Sequence, residues 1–466
     1  MNKNRIRLAV IGGGSVNWMK ALMKDLYLLD EASGGEIRLM DPNLADARAV
    51  AAMLETLNRQ RDKDYRVTVT DNRREAIDGV DFVMATYSPG SMDAFWNDLE
   101  LPVKYGIVLP VSMTVGIPGI SAALRAVPVG HDLVSEMESL CPGAWLLNVT
   151  NPMSCVTRAM NLPAKTVRVL GLCHEFHALG KFLGPMLGLR RPKGMEVTEY
   201  LYRWLPAQGF DYTVAGLNHF IWLTRATLNG EDVLPRIRQY CVDHDAIGVE
   251  EWGGVTQGTT VFPNTGEVKF ALCRQFGYLP MAGDRHLVEF LPSLCNLRNG
   301  FAAGYQVRKT TVDRRRSLRD ASRASVLRIA SGEEAMDWTR SGEEMTEILK
   351  AILSGTKTTA IVNMPNRGQI SNMPEDTIVE TLATVGADGA LPRPSGALPG
   401  PVGSLCRLHA DVQELVVQAA LTGDRTRLIE AMGLDPSSAG MDFREIPRLA
   451  EELLSANREW LPRFYR

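Results

Sequence analysis

The run Arg7-Leu8-Ala9-Val10-Ile11-Gly12-Gly13-Gly14-Ser15 decides how the rest of the chain is read. Its apolar part is a short strand, and three glycines then let the backbone turn tightly. A helical pattern follows, with Trp18, Leu22, Leu26 and Leu29 on one side. Small residues between a strand and a helix allow the backbone to approach a pyrophosphate. The helix N-terminus offers it free N–H groups and a partial positive charge.

Gly12, Gly14 and Ser15 are therefore the expected dinucleotide contacts. The full fingerprint wants a third glycine at position 17, where this chain has Asn17, so a purely structural turn stays open. The next strand, Glu36–Met40, ends on Asp41. An acid there holds ribose hydroxyls and repels a 2′-phosphate, which favours NAD over NADP. The other use of Asp41 is a helix cap ahead of Pro42.

Working outward, Asp46–Asn58 reads as a helix. Val67–Thr70, Asp81–Thr86, Trp145–Val149 and Val167–Leu172 read as strands, most of them separated by helical segments. Such alternation implies a parallel sheet with right-handed crossovers. Past about residue 190 the pattern changes. Glu196–Trp204 and Asp211–Leu217 are expected as strands of a different sheet, antiparallel or mixed. Asp313–Leu353 reads as a long charged helical region, Val362–Pro401 as long ordered loops, and Leu405–Met432 as helix. The expected class is α/β. A Rossmann-like, doubly wound parallel sheet spans residues 1–190, and a larger mixed α+β domain spans residues 191–466.

Composition narrows the function. The 466 residues carry 51 Lys+Arg and 54 Asp+Glu, a net charge of −3, and 45% are hydrophobic. That is a globular chain without the basic excess that nucleic acid or an anionic membrane attracts. No apolar run approaches the roughly 18 residues of a membrane span. Met1–Ile6 lacks a signal-peptide pattern, so a cytoplasmic location is expected. Seven cysteines without a CxxC read as reduced, buried small hydrophobes. His131, His177, His244 and His409 are expected as caps or surface residues, and Arg314-Arg315-Arg316 as a solvated helix face.

Four further segments carry chemistry. They are Thr114-Val115-Gly116-Ile117-Pro118-Gly119, Leu146-Leu147-Asn148-Val149-Thr150-Asn151-Pro152, Gly171-Leu172-Cys173-His174-Glu175 and Gly216-Leu217-Asn218-His219-Phe220-Ile221-Trp222. The second and third follow strands of the first half. Ligands of doubly wound sheets bind beyond the carboxyl ends of such strands. With Val362-Asn363-Met364-Pro365-Asn366 and the helix from Glu414, the segments run through nearly the whole chain in order. Together they resemble glycoside hydrolase family 4, the NAD- and metal-dependent glycosidases, whose fold is related to malate and lactate dehydrogenases. Ile117 and Ile120 depart from that family's pattern.

The resemblance implies a divalent metal, usually manganese, on Cys173 and His219, and NAD on the Gly-rich turn, Asp41 and Asn148. It implies transient oxidation at sugar C3, removal of the C2 proton, elimination at C1 and addition of water. Asp284 is the first choice as base and Tyr278 the second. A salt bridge to Arg285 is the alternative use of Asp284, and a core position that of Tyr278. His174 is placed to protonate the leaving group or to orient its neighbours. Asn151 would touch substrate hydroxyls or simply serve the turn before Pro152. The cluster Gly283–Phe290 looks most like the branch acting on α-galacturonides, with Arg285 and His286 on the substrate and Arg285 suited to a C6 carboxylate. An α-galactosidase or a 6-phospho-glycosidase of the same family is the second reading. An NAD-dependent 2-hydroxy acid dehydrogenase and an inactive NAD sensor are the readings from other classes. The expected partners are a small sugar substrate, no nucleic acid and no membrane, with the chain as a homodimer or homotetramer.

Overall fold

β1 (Arg5–Ile11) is buried along most of its length, as a strand covered on both faces must be. It lies inside the sheet of a computed structural model that describes residues 5–247, 265–291, 293–294 and 301–466. Five more parallel strands join it: β2 (Gly34–Met40), β3 (Asp64–Thr70), β4 (Phe82–Ala85), β5 (Trp145–Asn148) and β6 (Arg168–Gly171). Their order is β3-β2-β1-β4-β5-β6, that of a doubly wound dinucleotide fold. The strand order reverses between β1 and β4. The Gly-rich turn, Asp41, Asn151 and Cys173 all follow carboxyl ends of these strands.

Seven further strands are β7 (Phe210–Leu217), β8 (Phe220–Leu228), β9 (Glu231–Asp232), β10 (Leu279–Pro280), β11 (Lys357–Pro365), β12 (Ile378–Gly386) and β13 (Gly389–Pro392). They do not build the separate sheet expected from sequence. β11 runs antiparallel beside β6, with Asn363 opposite Gly171. It pairs along its whole length with β12, β12 meets β7 at Glu380–Gly216, and β7, β8 and β10 complete the row. One mixed sheet thus continues through both halves of the chain.

Other expectations are corrected by packing. Glu196–Trp204 is helical, because Tyr200 and Trp204, one turn apart, stack with ring centroids 5.3 Å apart. The Val362–Pro401 stretch holds the end of β11 and all of β12 and β13, with Gly368, Pro374, Pro394, Gly396 and Pro399 in the turns between and after them. The charged region splits into helices Val312–Ser331 and Glu344–Ser354 at the left-handed Gly332. Leu405–Met432 falls in helices Gly400–Thr422 and Arg425–Leu434, which part at Gly423; a Cβ there would lie 2.0 Å from the Arg463 carbonyl oxygen. Leu22, Leu26 and Leu29 are buried as expected, but Trp18 is exposed. Ile117 and Ile120 are core residues of helix Gly116–Leu140. His409 is buried, not superficial, and bonds the Phe290 carbonyl. Cys141, Cys155, Cys241, Cys273 and Cys406 are buried free thiols, while Cys173 is partly exposed; Cys295 lies outside the described residues. No helix among the described residues is long and apolar enough to cross a membrane.

Candidate active site

The Gly-rich turn is as tight as its composition requires. Gly12 has φ +94°, and a Cβ there would sit 2.4 Å from the Thr86 carbonyl oxygen. Gly14 N–H donates to Asp41 Oδ2 at 2.9 Å, and Asn43 N–H donates to Asp41 Oδ1 at 2.8 Å. The cap of helix Leu44–Arg61 is Asn43 rather than Asp41. Asp41 therefore ties the end of β2 to the turn, while Ser15 opens helix Val16–Tyr27 with no side-chain cap bond of its own. Asp46 receives Arg319 and Arg323 at 2.6 and 2.7 Å, which fastens helix Val312–Ser331 to this side.

Asn148, expected on the cofactor, is fully buried. Its Nδ2 donates to Thr157 Oγ1 and its Oδ1 accepts from Thr150 N–H, so it shapes the loop rather than reaching a ligand. Asn151 lies further along that loop, half-buried, and its Oδ1 accepts from Met153 N–H at 3.3 Å. It lines a small cavity, about 20 Å³, with Ser88, Phe95, Met113 and Arg125.

Cys173 follows β6, and His219 sits in the two-residue turn between β7 and β8. His219 holds a left-handed backbone, φ +62°, which a bulky residue adopts only under constraint. Two contacts supply the constraint. Its Nδ1 lies 2.7 Å from Thr114 Oγ1, and its ring stacks on His286 at 3.8 Å between centroids. The preceding residue, Asn218, lies against the Cys173 thiol and donates to Glu380 at 3.2 Å. Glu380 also accepts from Asn363 at 2.7 Å, so one carboxyl joins the strands behind both residues. Burial and the nearby Glu380 and Glu175 push the Cys173 thiol well above its ordinary pKa. Burial and His286 push His219 well below its own.

Around this pair the charges are ordered. Burial would raise Glu175, but His286, His219, His174 and a 2.7 Å bond from Gly283 N–H hold it at about 2. His286 is pushed down to about 4 by burial. Burial would lower His174, yet its 2.8 Å pair with Glu343 raises it to about 9. His174 lies at the rim, 6.1 Å from the exposed Trp18 ring.

Two sequence choices for the base are not supported. Asp284 is buried, and its oxygens accept the Gly266 and Lys269 backbone N–H groups at 2.9 and 3.1 Å. It caps helix Glu267–Phe276. Tyr278 packs under Arg238, and its neighbour Leu279 pairs with Leu223, four residues along β8 from His219. At about 3.3 Å per residue that separates it from His219 by more than roughly 13 Å. Arg285 donates to Thr310 Oγ1 at 2.9 Å and is near enough to His219 and His286 to bear on their ionisation.

Sequence reasoning assigned no role to Thr114, Glu289, Arg315 or Glu380. Thr114 stood inside a quoted segment, and its partner emerges only in three dimensions. Among the described residues no group of three or more His, Cys, Asp or Glu side chains is set up to hold a metal.

The family 4 glycosyl hydrolase model matches residues 7–189, and the family 4 glycosyl hydrolase C-terminal domain matches residues 214–438. An alpha-galacturonidase of Bacillus subtilis (strain 168) is 33% identical over 433 residues, 93% of this chain and 93% of that protein. A crystal structure of a Bacillus subtilis protein named as a glucosidase has a TM-score of 0.83 at 30% identity, covering 97% of this chain and 100% of that one. The 6-phospho-beta-glucosidase of Thermotoga maritima, solved with manganese, NAD+ and glucose-6-phosphate, shares the fold at TM-score 0.74 and 20% identity, covering 98% and 99%. These matches set aside the hydroxy-acid dehydrogenase. The chain belongs to glycosyl hydrolase family 4 and is a glycosidase.

Proposed function

We propose that this glycosidase cleaves α-galacturonides with the help of NAD and a divalent cation, manganese foremost. One juxtaposition carries the reading. His286 stacks on His219, and Arg285 is near enough to His219 to bear on its ionisation, so a guanidinium suited to a carboxylate shares the neighbourhood of the histidine expected to bind the cation. The 33% identity to an alpha-galacturonidase supports the choice of sugar.

The residues fit both groups. Gly12–Ser15 forms a cradle that a Cβ would fill, and Asp41 stands beside it. Burial first, and then Glu380 and Glu175, disfavour a free thiolate at Cys173, and a cation beside it would relieve that cost. With Nδ1 engaged by Thr114, His219 keeps Nε2 as its ligand atom. When bound, the nicotinamide supplies a reversible hydride acceptor, and the cation a Lewis acid for sugar oxygens.

The chain's own groups do the rest. Cys173 and His219 hold the cation. Asn151 meets a sugar hydroxyl from the loop that Asn148 braces. His174, kept protonated by Glu343, donates a proton to the leaving-group oxygen. The reading keeps the enzyme in the cytoplasm, as a homodimer or homotetramer, with a cofactor half through residue 190. Light scattering reads the assembly.

The test is a panel of nitrophenyl α-galacturonide, α-galactoside and 6-phospho-glycosides with NAD, manganese and a reductant. Hydrolysis of the galacturonide without accumulation of NADH is expected, with deuterium at sugar C2 exchanging into water. Turnover of the other sugars with the galacturonide untouched would falsify the choice of substrate; full retention of the label would count against the elimination route.

A further inference from the structure

Helix Val312–Ser331 opens with the Arg314-Arg315-Arg316 run and also carries Arg319 and Arg323. Arg315, Arg319 and Arg323 recur every four residues and so share one face. The helix runs beside helix Leu44–Arg61 in the same direction. Arg319 and Arg323 meet Asp46 in the first turn of that helix, and further along the Ala330 carbonyl accepts from Thr56 Oγ1 at 3.0 Å. Residues ahead of Arg319 therefore reach past the carboxyl end of β2, on the side where doubly wound sheets take their ligands.

Their contacts lie there. Arg314 and Arg316 are exposed, and Arg316 bonds Asp93 at 2.9 Å. Arg315 turns inward. It donates to the Val111 carbonyl at 3.0 Å, meets the Met113 sulfur at 3.3 Å and lies over the Phe95 ring at 4.5 Å. Val111 is itself fixed, because Glu289 accepts its N–H and that of Ser112 at 2.7 Å. All of these partners except Glu289 belong to the stretch between β4 and β5. One helix of the second half thus spans both sides of the cofactor crevice.

At the Gly-rich turn this helix presents two guanidiniums. A Cβ on Gly14 would lie 2.9 Å from Asp41 Oδ2 and 3.2 Å from Asp46 Cβ, so both acids border the backbone that a dinucleotide approaches. Arg319 bonds Asp46 through one terminal nitrogen at 2.6 Å, and Arg323 through Nε at 2.7 Å. Burial raises the Asp41 pKa, and Arg319 is near enough to pull it back. The two arginine side chains stay 39% and 43% exposed and form no other hydrogen bond among the described residues. Each keeps N–H donors that face no protein acceptor.

Asp41 alone would repel a 2′-phosphate. The fold sets two arginines against Asp41 and Asp46, so the place carries no net negative charge. A guanidinium can hold a carboxylate on one edge and a phosphate on another.

We propose that Arg319 and Arg323 set cofactor specificity: their free N–H groups take a 2′-phosphate on the adenosine ribose, and the site accepts NADP beside NAD. The inference rests on the reading of Gly12–Asp41 as a dinucleotide site and deepens it.

The test is calorimetric titration of the full chain with NAD and with NADP, in the parent, Arg319→Gln, Arg323→Gln and Arg319→Lys. Each single change leaves one arginine on Asp46, so the two helices stay tied. The parent is expected to bind NADP within about tenfold of NAD. Each glutamine variant should weaken NADP by roughly ten- to hundredfold and NAD by no more than about twofold. Arg319→Lys should recover part of the loss. A parent that binds NAD but takes NADP more than about tenfold more weakly keeps the dinucleotide reading and overturns the receptor. So does NADP binding that survives both glutamine variants. An equal loss of NAD and NADP also overturns it, since the arginines would then serve what the two cofactors share. A folded parent that binds neither overturns the dinucleotide site itself.

Discussion

Thr114→Val is the most telling single change. Thr114 Oγ1 is the partner of His219 Nδ1 at 2.7 Å, and both residues are buried. Valine keeps the branched shape and removes only the hydroxyl. If Nε2 is the ligand atom, the proton sits on Nδ1 and donates to Thr114. Loss of the acceptor then leaves a buried N–H unpaired, at a cost of about 1–3 kcal/mol. At about 1.4 kcal/mol per decade, that matches the roughly 10–100-fold loss of metal affinity seen when an outer partner of a metal-bound histidine is removed. Thr114→Val should therefore weaken manganese binding roughly ten- to hundredfold, read as free Mn²⁺ by electron paramagnetic resonance. NAD affinity, followed by fluorescence, should stay within about twofold, because the Gly12–Asp41 site shares no bond with Thr114. Thr114→Ser should restore most of the loss. Manganese binding unchanged in Thr114→Val, in a protein that still binds NAD, would refute the assignment of His219 as a ligand.

Two further outcomes follow from positions away from the cation. Asp284→Asn should act on stability: the cap loses charge-assisted bonds to two N–H groups, about 1–3 kcal/mol, seen as a lower midpoint of thermal unfolding. Label exchange at sugar C2 per folded molecule should change little, and a collapse of exchange with unaltered melting would restore Asp284 as the base. Glu138 accepts the N–H groups of Lys165, Thr166 and Val167. Burial opposes its ionisation, but those bonds win and hold it at about 2. Its folded pKa is below the unfolded one, so its stabilisation is full above about pH 4.5 and is lost as pH falls toward 2. Glu138→Gln should cost about 1–2 kcal/mol at pH 7 and almost nothing near pH 2, which paired urea melts would show. Equal losses at both pH values would contradict it.

What was legible in the sequence was local. The Gly12–Gly14 turn and Asp41 declare themselves because strand, turn, helix and acid are consecutive. Cys173 and His219 were reached only through resemblance, since the groups around them, Asn218 and Glu380 for Cys173 and Thr114 and His286 for His219, come from segments that only the fold brings together. The Glu196–Trp204 stretch reads as a strand, but its residues from Val197 on are helical and stack Tyr200 on Trp204. Arg315 was hidden by its neighbours: a run of three arginines reads as solvated, and which one turns inward depends on Val111, Met113 and Phe95, some two hundred residues earlier. Asp284 shows the opposite failure. An acid after a glycine in a polar cluster looks reactive, while the fold needs it as a cap.

The position of β11 in the sheet has a consequence for biogenesis. β6 is complete by Gly171, yet the strand that covers its edge begins at Lys357. At translation rates of about 5–20 residues per second, β6 waits roughly 10–40 s with unpaired N–H and C=O groups. An uncovered edge is a template for pairing with another chain. The nascent cofactor half must therefore pass through a sticky interval that ends only when the β11–β12 hairpin is delivered. Slow codons or truncation ahead of Lys357 would lengthen that interval and turn a well-packed enzyme into an aggregation-prone one, with no residue of the active site altered.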